Sequence, residues 1–340
     1  MSGRALPLAV TMGEPAGVGG EIALKAWDRR AELPPFFLID DPDRLDRLAR
    51  RMGRRPKLAV IDRPADAAAT FAEALPILAN GLAVPVEPGR PDPANAGAVL
   101  QSIRRAVALV QEGVAGAVVT NPIHKSVLYQ AGFNHPGHTE FLAELAGSGT
   151  RSVMMLTARD LRVVPITIHL SLAEAIKRLS RQEIVAIGTV TAAALTRDFG
   201  IERPRLAVAA LNPHAGESGE MGREEIDIIA PAVADLVAHG IDASGPAPAD
   251  TLFHDAARRR YDAVLCMYHD QALIPLKTID FATGVNVTLG LPFIRTSPDH
   301  GTAFDIAGTG VADESSLIAA LQLAGRLVET RRPRASSGQA

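Results

Sequence analysis

Leu6-Pro7-Leu8-Ala9-Val10-Thr11 is an apolar run that passes directly into the glycine-rich Met12-Gly13-Glu14-Pro15-Ala16-Gly17-Val18-Gly19-Gly20, and then into a helical stretch through Trp27. A short apolar run, a glycine turn and a helix make a β-loop-α unit. The same alternation continues along the chain. Phe36 to Ile39 reads as a strand ending at Asp40 and Asp41, and Asp43 to Arg51 as a charged helix. Ala94 to Gln111 reads as a helix and Ala115 to Val119 as a strand, followed by the loop Thr120 to Pro122 and helical stretches to Ala146. Further strands are expected near Ser152 to Leu156, Leu161 to Ile168, Arg205 to Leu211 and Asp262 to Met267. Helices are expected at Gln182 to Phe199, Glu224 to His239 and Asp313 to about Thr330, the last one capped by Asp313. Strands alternating with helices predict an α/β fold whose sheet is mainly parallel and covered on both faces.

The 340 residues allow one large unit or two interleaved α/β subdomains. No repeat or proline-rich linker divides the chain. The expectation is one catalytic unit over residues 1–330, with the chain crossing between lobes, and a loose tail at 331–340. The composition is 47% hydrophobic and 21% charged, with a formal net charge of −3. Such a balance offers no nucleic-acid or membrane surface, so any phosphate must be recognised by a few placed residues. The single cysteine, Cys266, lies in an apolar run and permits no intrachain disulfide. No apolar run approaches a membrane span and the N-terminus lacks a signal-peptide core, so a cytoplasmic protein is expected.

Three histidines each follow a strand-like run: His169 after Ile166-Thr167-Ile168, His214 after Leu211-Asn212-Pro213, and His269 after Cys266-Met267-Tyr268. Open α/β sheets bind ligands beyond the carboxyl ends of their strands, and imidazole is a common ligand of divalent metals. One such histidine is usually just solvated, whereas three point to an open catalytic metal shell. Asp250 and Asp270 are candidate further ligands or carboxylates that orient imidazoles, although Asp250 also suits a helix N-cap.

The glycine-rich turn is no dinucleotide fingerprint, because Ile22 stands where the third glycine of Gly17-x-Gly19 belongs. Phosphate contact and a plain tight turn are about equally good readings, and Asp40 would be the ribose partner in the first. His138 and Thr139, in Asn134-His135-Pro136-Gly137-His138-Thr139-Glu140, supply donors for an oxyanion, while Thr139 equally suits a helix cap. Lys277, Asn286 and Arg295 together suit a phosphate or carboxylate. His300 and Gly301, in a polar loop, are candidate cofactor contacts. From these residues alone, a metal-dependent hydrolase or lyase acting on a small anion fits about as well as a dehydrogenase.

The phrases from Thr11 to Gly19, Gly137 to Glu140, Leu211 to Glu217, Met267 to Gln271 and Gly290 to Ser297 resemble, in the same order, those of the 4-hydroxythreonine-4-phosphate dehydrogenases. The resemblance implies a two-lobed α/β/α architecture similar to isocitrate and isopropylmalate dehydrogenases, without a GxGxxG loop. It implies NAD-dependent oxidation of 4-phosphooxy-L-threonine to a 3-oxo acid, which decarboxylates to 3-amino-2-oxopropyl phosphate on the way to pyridoxal phosphate, with NADP as the alternative cofactor. One divalent ion (zinc, magnesium, manganese or cobalt) would be held by His169, His214 and His269. Substrate would be contacted by His138, Thr139, Lys277, Asn286 and Arg295, with the site built at a homodimer interface. Asp250, Asp270 and His138 are the candidates for general base. The alternatives are a related dehydrogenase for D-threonate or D-erythronate 4-phosphate or another diol acid, and a non-catalytic binder of phosphorylated metabolites.

Overall fold

The structure is a computed structural model that describes residues 6–135, 137–147 and 149–331. The chain forms two compact units, one from residues 1–150 and 291–340 and the other from residues 151–290. The first unit starts with β1 (Leu8–Thr11), α1 (Gly19–Asp28), β2 (Phe36–Asp40), α2 (Pro42–Arg51), β3 (Leu58–Val60), α3 (Pro64–Thr70) and β4 (Leu75–Ala79). It goes on through α4 (Ala96–Gln111), β5 (Val118–Val119), α5 (Lys125–Gln130) and α6 (His138–Ala146). The second unit holds β6 (Val153–Ala158), β7 (Leu161–Pro165), α7 (Leu172–Arg178), α8 (Arg181–Phe199) and β8 (Arg205–Ala209). It continues with α9 (Ala230–Ala238), β9 (Asp242–Ala247), α10 (Asp255–Arg258), β10 (Ala263–Cys266), α11 (His269–Ile279) and β11 (Val285–Leu289). The chain then returns to the first unit for β12 (Arg295–Pro298) and α12 (Ser315–Arg331).

In the first unit the strand order is β3-β4-β2-β1-β5-β12, and every neighbouring pair is parallel. All four residues of β1 and all five of β2 are buried, as expected for parallel strands covered on both faces. Helix α2 starts where Asp41 accepts the Arg44 amide at 2.8 Å, with Pro42 in the first turn, and buries the stripe Leu45, Leu48 and Ala49. Helix α4 buries Val99, Ile103, Ala106 and Val107. Its Ser102 Oγ accepts from Met12 N (3.0 Å) and donates to Ile39 O (2.8 Å), joining two strand ends.

In the second unit the order is β11-β6-β7-β10-β8-β9. Here β11–β6 and β6–β7 are antiparallel, whereas β7–β10, β10–β8 and β8–β9 are parallel. The core gathers Leu156, Leu161, Val163, Val264 and Leu276 around the fully buried Cys266. Helix α8 is capped by Ser180, which accepts from Glu183 N at 3.2 Å, and stops at Gly200 in the left-handed conformation. No helix among the described residues is long and apolar enough to cross a membrane.

Several expected boundaries move. The π-helical turn Glu225–Ile229 precedes α9, so the stretch expected as one helix from Glu224 is two pieces. β5 keeps only two residues of the expected strand, and Asp313 caps a turn at Ser315 N (2.8 Å) just ahead of α12. Arg331 closes α12 and donates to Pro292 O at 2.9 Å, so it is not part of a tail; residues 332–340 lie outside the described residues. The ribose role for Asp40 is closed off: its carboxylate is buried and pairs with Arg44 at 2.7 Å. Arg44 in turn donates to Pro15 O through Nε (3.0 Å) and Nη2 (2.8 Å), so the pair fastens the glycine-rich loop to the end of β2.

Removing one partner of this pair strands a buried charge, at a cost of about 3–5 kcal/mol. Asp40→Ala is therefore expected to lose about that much in urea unfolding, and Asp40→Leu combined with Arg44→Met to lose less. A loss below about 1 kcal/mol in the single variant would contradict this role.

Candidate active site

Parallel pairing decides which ends of the second unit's strands carry chemistry. Cys266 of β10 is in register with Pro165 of β7, and Leu265 with Val208 of β8, so these strands leave the sheet at about one level. β9 runs parallel beside β8. Four adjacent strands, β7-β10-β8-β9, are thus followed within a few residues by His169, His269, His214 and Asp250, all on the carboxyl side where open α/β sheets bind ligands.

Side chains lace these exits together. Thr167 Oγ1 donates to Met267 O at 2.8 Å, tying the segment after β7 to the one after β10. Buried Gln271 accepts from Met267 N at 2.7 Å and donates to Ala210 O at 2.7 Å, tying the exits of β10 and β8. The His169 and His269 rings lie 6.1 Å apart between centroids, and both line a cavity of about 320 Å³ together with Thr167, Tyr268 and Asp270. His269 Nδ1 bonds Asp270 Oδ1 at 2.7 Å, which orients the ring and leaves Nε2 as the nitrogen that could face a cation. The donor chemistry therefore fits a divalent cation. Among the described residues, however, no three His, Cys, Asp or Glu side chains converge as a ligand set, and His214 is not drawn into the His169–His269 pair. Asp250 is exposed in the 3-10 turn Ala249–Thr251, behind Pro248, so it caps no helix.

The histidine loops are conformationally costly. His169 has φ 53°, and six consecutive residues from His214 to Gly219 have positive φ, four of them bearing a Cβ. Left-handed helical geometry costs an L-residue about 1–2 kcal/mol, so such a turn persists only where its surroundings hold it. The polypeptide here is held by Glu225, whose carboxylate accepts from Leu211 N at 2.8 Å and Asn212 N at 2.7 Å. Elsewhere in this unit Lys277 lies on α11 with Nζ 5.2 Å from the Phe281 ring centroid, and Asn286 on β11 has a buried Oδ1 with no hydrogen-bond partner.

The first unit carries the other expected contacts. Arg295 opens β12, is only 4% exposed, and donates to Thr120 Oγ1 through Nε (3.1 Å) and Nη2 (2.6 Å). Burial lowers its pKa to about 10, so it stays charged at neutral pH. His138 is the first residue of α6 and Thr139 the second; Gly137 takes the cap position, so Thr139 is not the cap. His138 Nε2 is buried without a partner. Burial, then the charges of Arg295 and Lys125, hold its pKa well below the ordinary 6.5. A neutral imidazole with an unspent nitrogen beside a buried guanidinium is suited to an oxyanion or hydroxyl.

Four amides of the glycine-rich loop are spent internally: Glu14 N on Pro122 O (2.8 Å), Ala16 N on Glu14 Oε1 (3.1 Å), Gly17 N on Glu14 O (3.0 Å) and Val18 N on Thr302 O (3.0 Å). Gly13 is obligatory there, since φ is +64° and a Cβ would come within 2.6 Å of Pro122 O. His300 and Gly301 are exposed, with His300 Nδ1 2.9 Å from Gly301 O. Thr167, Gln271, Glu225, Thr120 and Lys125 escape sequence reasoning. Their one available signal is that each lies within a short stretch of a strand-end phrase.

Because the folded pKa of His138 is depressed, the unfolded chain takes up a proton near pH 6.5 while the folded chain does not, and this residue subtracts from stability as pH falls below that value. In a proton NMR titration its ring signals, assigned against His138→Asn, should not move from about pH 8 to about pH 6. A midpoint at or above 6.5 would contradict the buried, neutral imidazole.

Comparison with known proteins agrees with the phrase pattern. The family described as pyridoxal phosphate biosynthetic protein PdxA matches residues 32–324. A 4-hydroxythreonine-4-phosphate dehydrogenase of Bradyrhizobium diazoefficiens is 56% identical, covering 96% of this chain and 98% of its own. The crystal structure of the dehydrogenase of that name from Klebsiella pneumoniae superposes with a TM-score of 0.87 at 42% identity, covering 95% of this chain and 99% of its own. A terephthalate 1,2-cis-dihydrodiol dehydrogenase from Burkholderia xenovorans superposes at 0.63 with 29% identity, covering 95% and 98%. With a family match over most of its length and relatives of this similarity, the chain belongs to the PdxA family of pyridoxal phosphate biosynthetic proteins.

Proposed function

We propose that this chain is an NAD-dependent, divalent-metal-dependent dehydrogenase acting on 4-phosphooxy-L-threonine. The observation that carries the reading is the row of His169, His269, His214 and Asp250 after four adjacent parallel strands, in a chain 56% identical to an enzyme named for that substrate. His169, His214 and His269 would hold the cation, which when bound would polarise the substrate hydroxyl and the ketone that follows. Hydride leaves the hydroxyl-bearing carbon for NAD+ while the hydroxyl proton goes to a base. The resulting 3-oxo acid loses CO2 and, once protonated, gives 3-amino-2-oxopropyl phosphate.

The residues of this chain bind and orient. Arg295, charged and buried, and Lys277 anchor the phosphate, with Thr139 and Asn286 as neutral partners. This remote binding energy places the reacting carbon. Asp270 is engaged with His269 at 2.7 Å and serves to orient that ring, which leaves Asp250 and neutral His138 as the candidates for base. NADP as the alternative cofactor, the cytoplasm as location and a homodimer that completes the site belong to the same reading through the family likeness. A dehydrogenase for D-threonate or D-erythronate 4-phosphate or for a related diol acid is the second reading, and the likeness to a dihydrodiol dehydrogenase supports its diol-acid form.

NADH formation by purified protein separates these readings. With added divalent metal, 4-phosphooxy-L-threonine should turn over at least about tenfold faster than either sugar-acid phosphate, and chelation should stop it. Faster turnover of a sugar-acid phosphate would move the enzyme to that substrate, and no NADH with any of them would remove the dehydrogenase reading. Lys277→Ala should raise KM about tenfold or more, the loss of one charge-assisted contact, with thermal stability nearly unchanged. An unaltered KM would take Lys277 out of the phosphate site.

A further inference from the structure

We propose that Glu225 is the positioning residue for His214, fixing the left-handed turn that presents this imidazole to the cation. The inference rests on the reading of His214 as a metal ligand.

After β8 the chain passes Leu211-Asn212-Pro213 and enters the left-handed run: His214 (φ 52°, ψ 26°), Ala215 (55°, 40°), Gly216 (76°, 0°), Glu217 (44°, 57°) and Ser218 (58°, 22°). Four of the five bear a Cβ and are strained by this conformation; local bonds such as Ala215 N to Asn212 O (3.2 Å) and Met221 N to Gly216 O (3.1 Å) close the turn, and a further restraint comes from outside the run. It comes at the neck. Glu225 is 3% exposed, and its Oε1 accepts from both Leu211 N (2.8 Å) and Asn212 N (2.7 Å), while Oε2 accepts from Asn212 Nδ2 (2.9 Å). Glu224 Oε2 takes the same Asn212 amide at 2.7 Å.

The carboxylate also packs into the turn itself. A Cβ built on Gly216 would lie 2.7 Å from Glu225 Oε2, so the one glycine of the run is where the carboxylate closes against the backbone. Glu225 thus reaches the residues just before His214 and the residue two after it. Both of its oxygens are committed to the loop, so it supports the histidine and is not itself a ligand. The side chain is delivered from the π-helical turn Glu225–Ile229, an irregular start to the helix that follows β8.

The test is calorimetric titration of metal-free protein with Co²⁺, beside thermal unfolding in EDTA, for the parent, His214→Ala, Glu225→Gln and the two combined. Glutamine keeps the size of Glu225 but replaces one accepting oxygen by a donor. Glu225→Gln is expected to weaken Co²⁺ binding about tenfold or more, as loss of partners behind a metal ligand does, with its midpoint in EDTA within a few degrees of the parent. Combined with His214→Ala it should weaken binding no further than His214→Ala alone. Gly216→Ala, which forces a methyl against Glu225 Oε2, should reproduce the loss and serves if Glu225→Gln does not fold. Parent-like Co²⁺ affinity in Glu225→Gln or Gly216→Ala, with His214→Ala weakened, overturns the positioning role and leaves the ligand reading standing. Parent-like affinity in His214→Ala overturns the ligand reading, and this role with it.

Discussion

Parallel strand pairing is the constraint on which the site depends. Where β7, β10, β8 and β9 run side by side in one direction, their chain exits emerge at one edge, whatever the sequence distance between them. Residues as far apart as His169 and His269 are neighbours only because β10 lies between β7 and β8. The hydrogen bonds of Thr167 and Gln271 extend that alignment past the last ladder pair, so the histidine segments start from a rigid base. Preorganisation of this kind matters in a site where small misplacements are costly.

Two buried arginines show how neighbouring groups decide a charge's role. Arg44 pairs with Asp40 and caps Pro15 O, so its charge is consumed in structure. Arg295 is equally buried but bonds a neutral hydroxyl, Thr120 Oγ1, and lies close enough to His138 to help keep that ring neutral. In the glycine-rich loop the amides of Glu14, Ala16, Gly17 and Val18 bond acceptors within the protein, and Gly13 serves close packing.

Much of this was legible in the sequence, for reasons that are local. Apolar runs ending in histidine mark strand ends, and the expected strands at 161–168, 205–211 and 262–267 each hold their observed counterpart. The order of the strands is not local, and no pattern around His214 indicates that β8 adjoins β10. β3 and β12 are short, and β9 carries the sequence from Asp242 to Ala247 with no alternation to signal it. Asp250 suited a helix cap by residue type, yet the turn begins at Pro248. Glu225 sits in Arg223-Glu224-Glu225-Ile226-Asp227, a stretch that reads as a solvated helix face; only the fold turns one of its carboxylates inward.

The central claim is that imidazoles from three adjacent strands take hold of one ion. Anomalous X-ray scattering from crystals grown with Zn²⁺ tests it most directly. The account predicts one strong peak within bonding distance of His169, His214 and His269, about 2.0–2.1 Å from a nitrogen of each. A peak bound by other residues, or one that leaves His214 out, would contradict it.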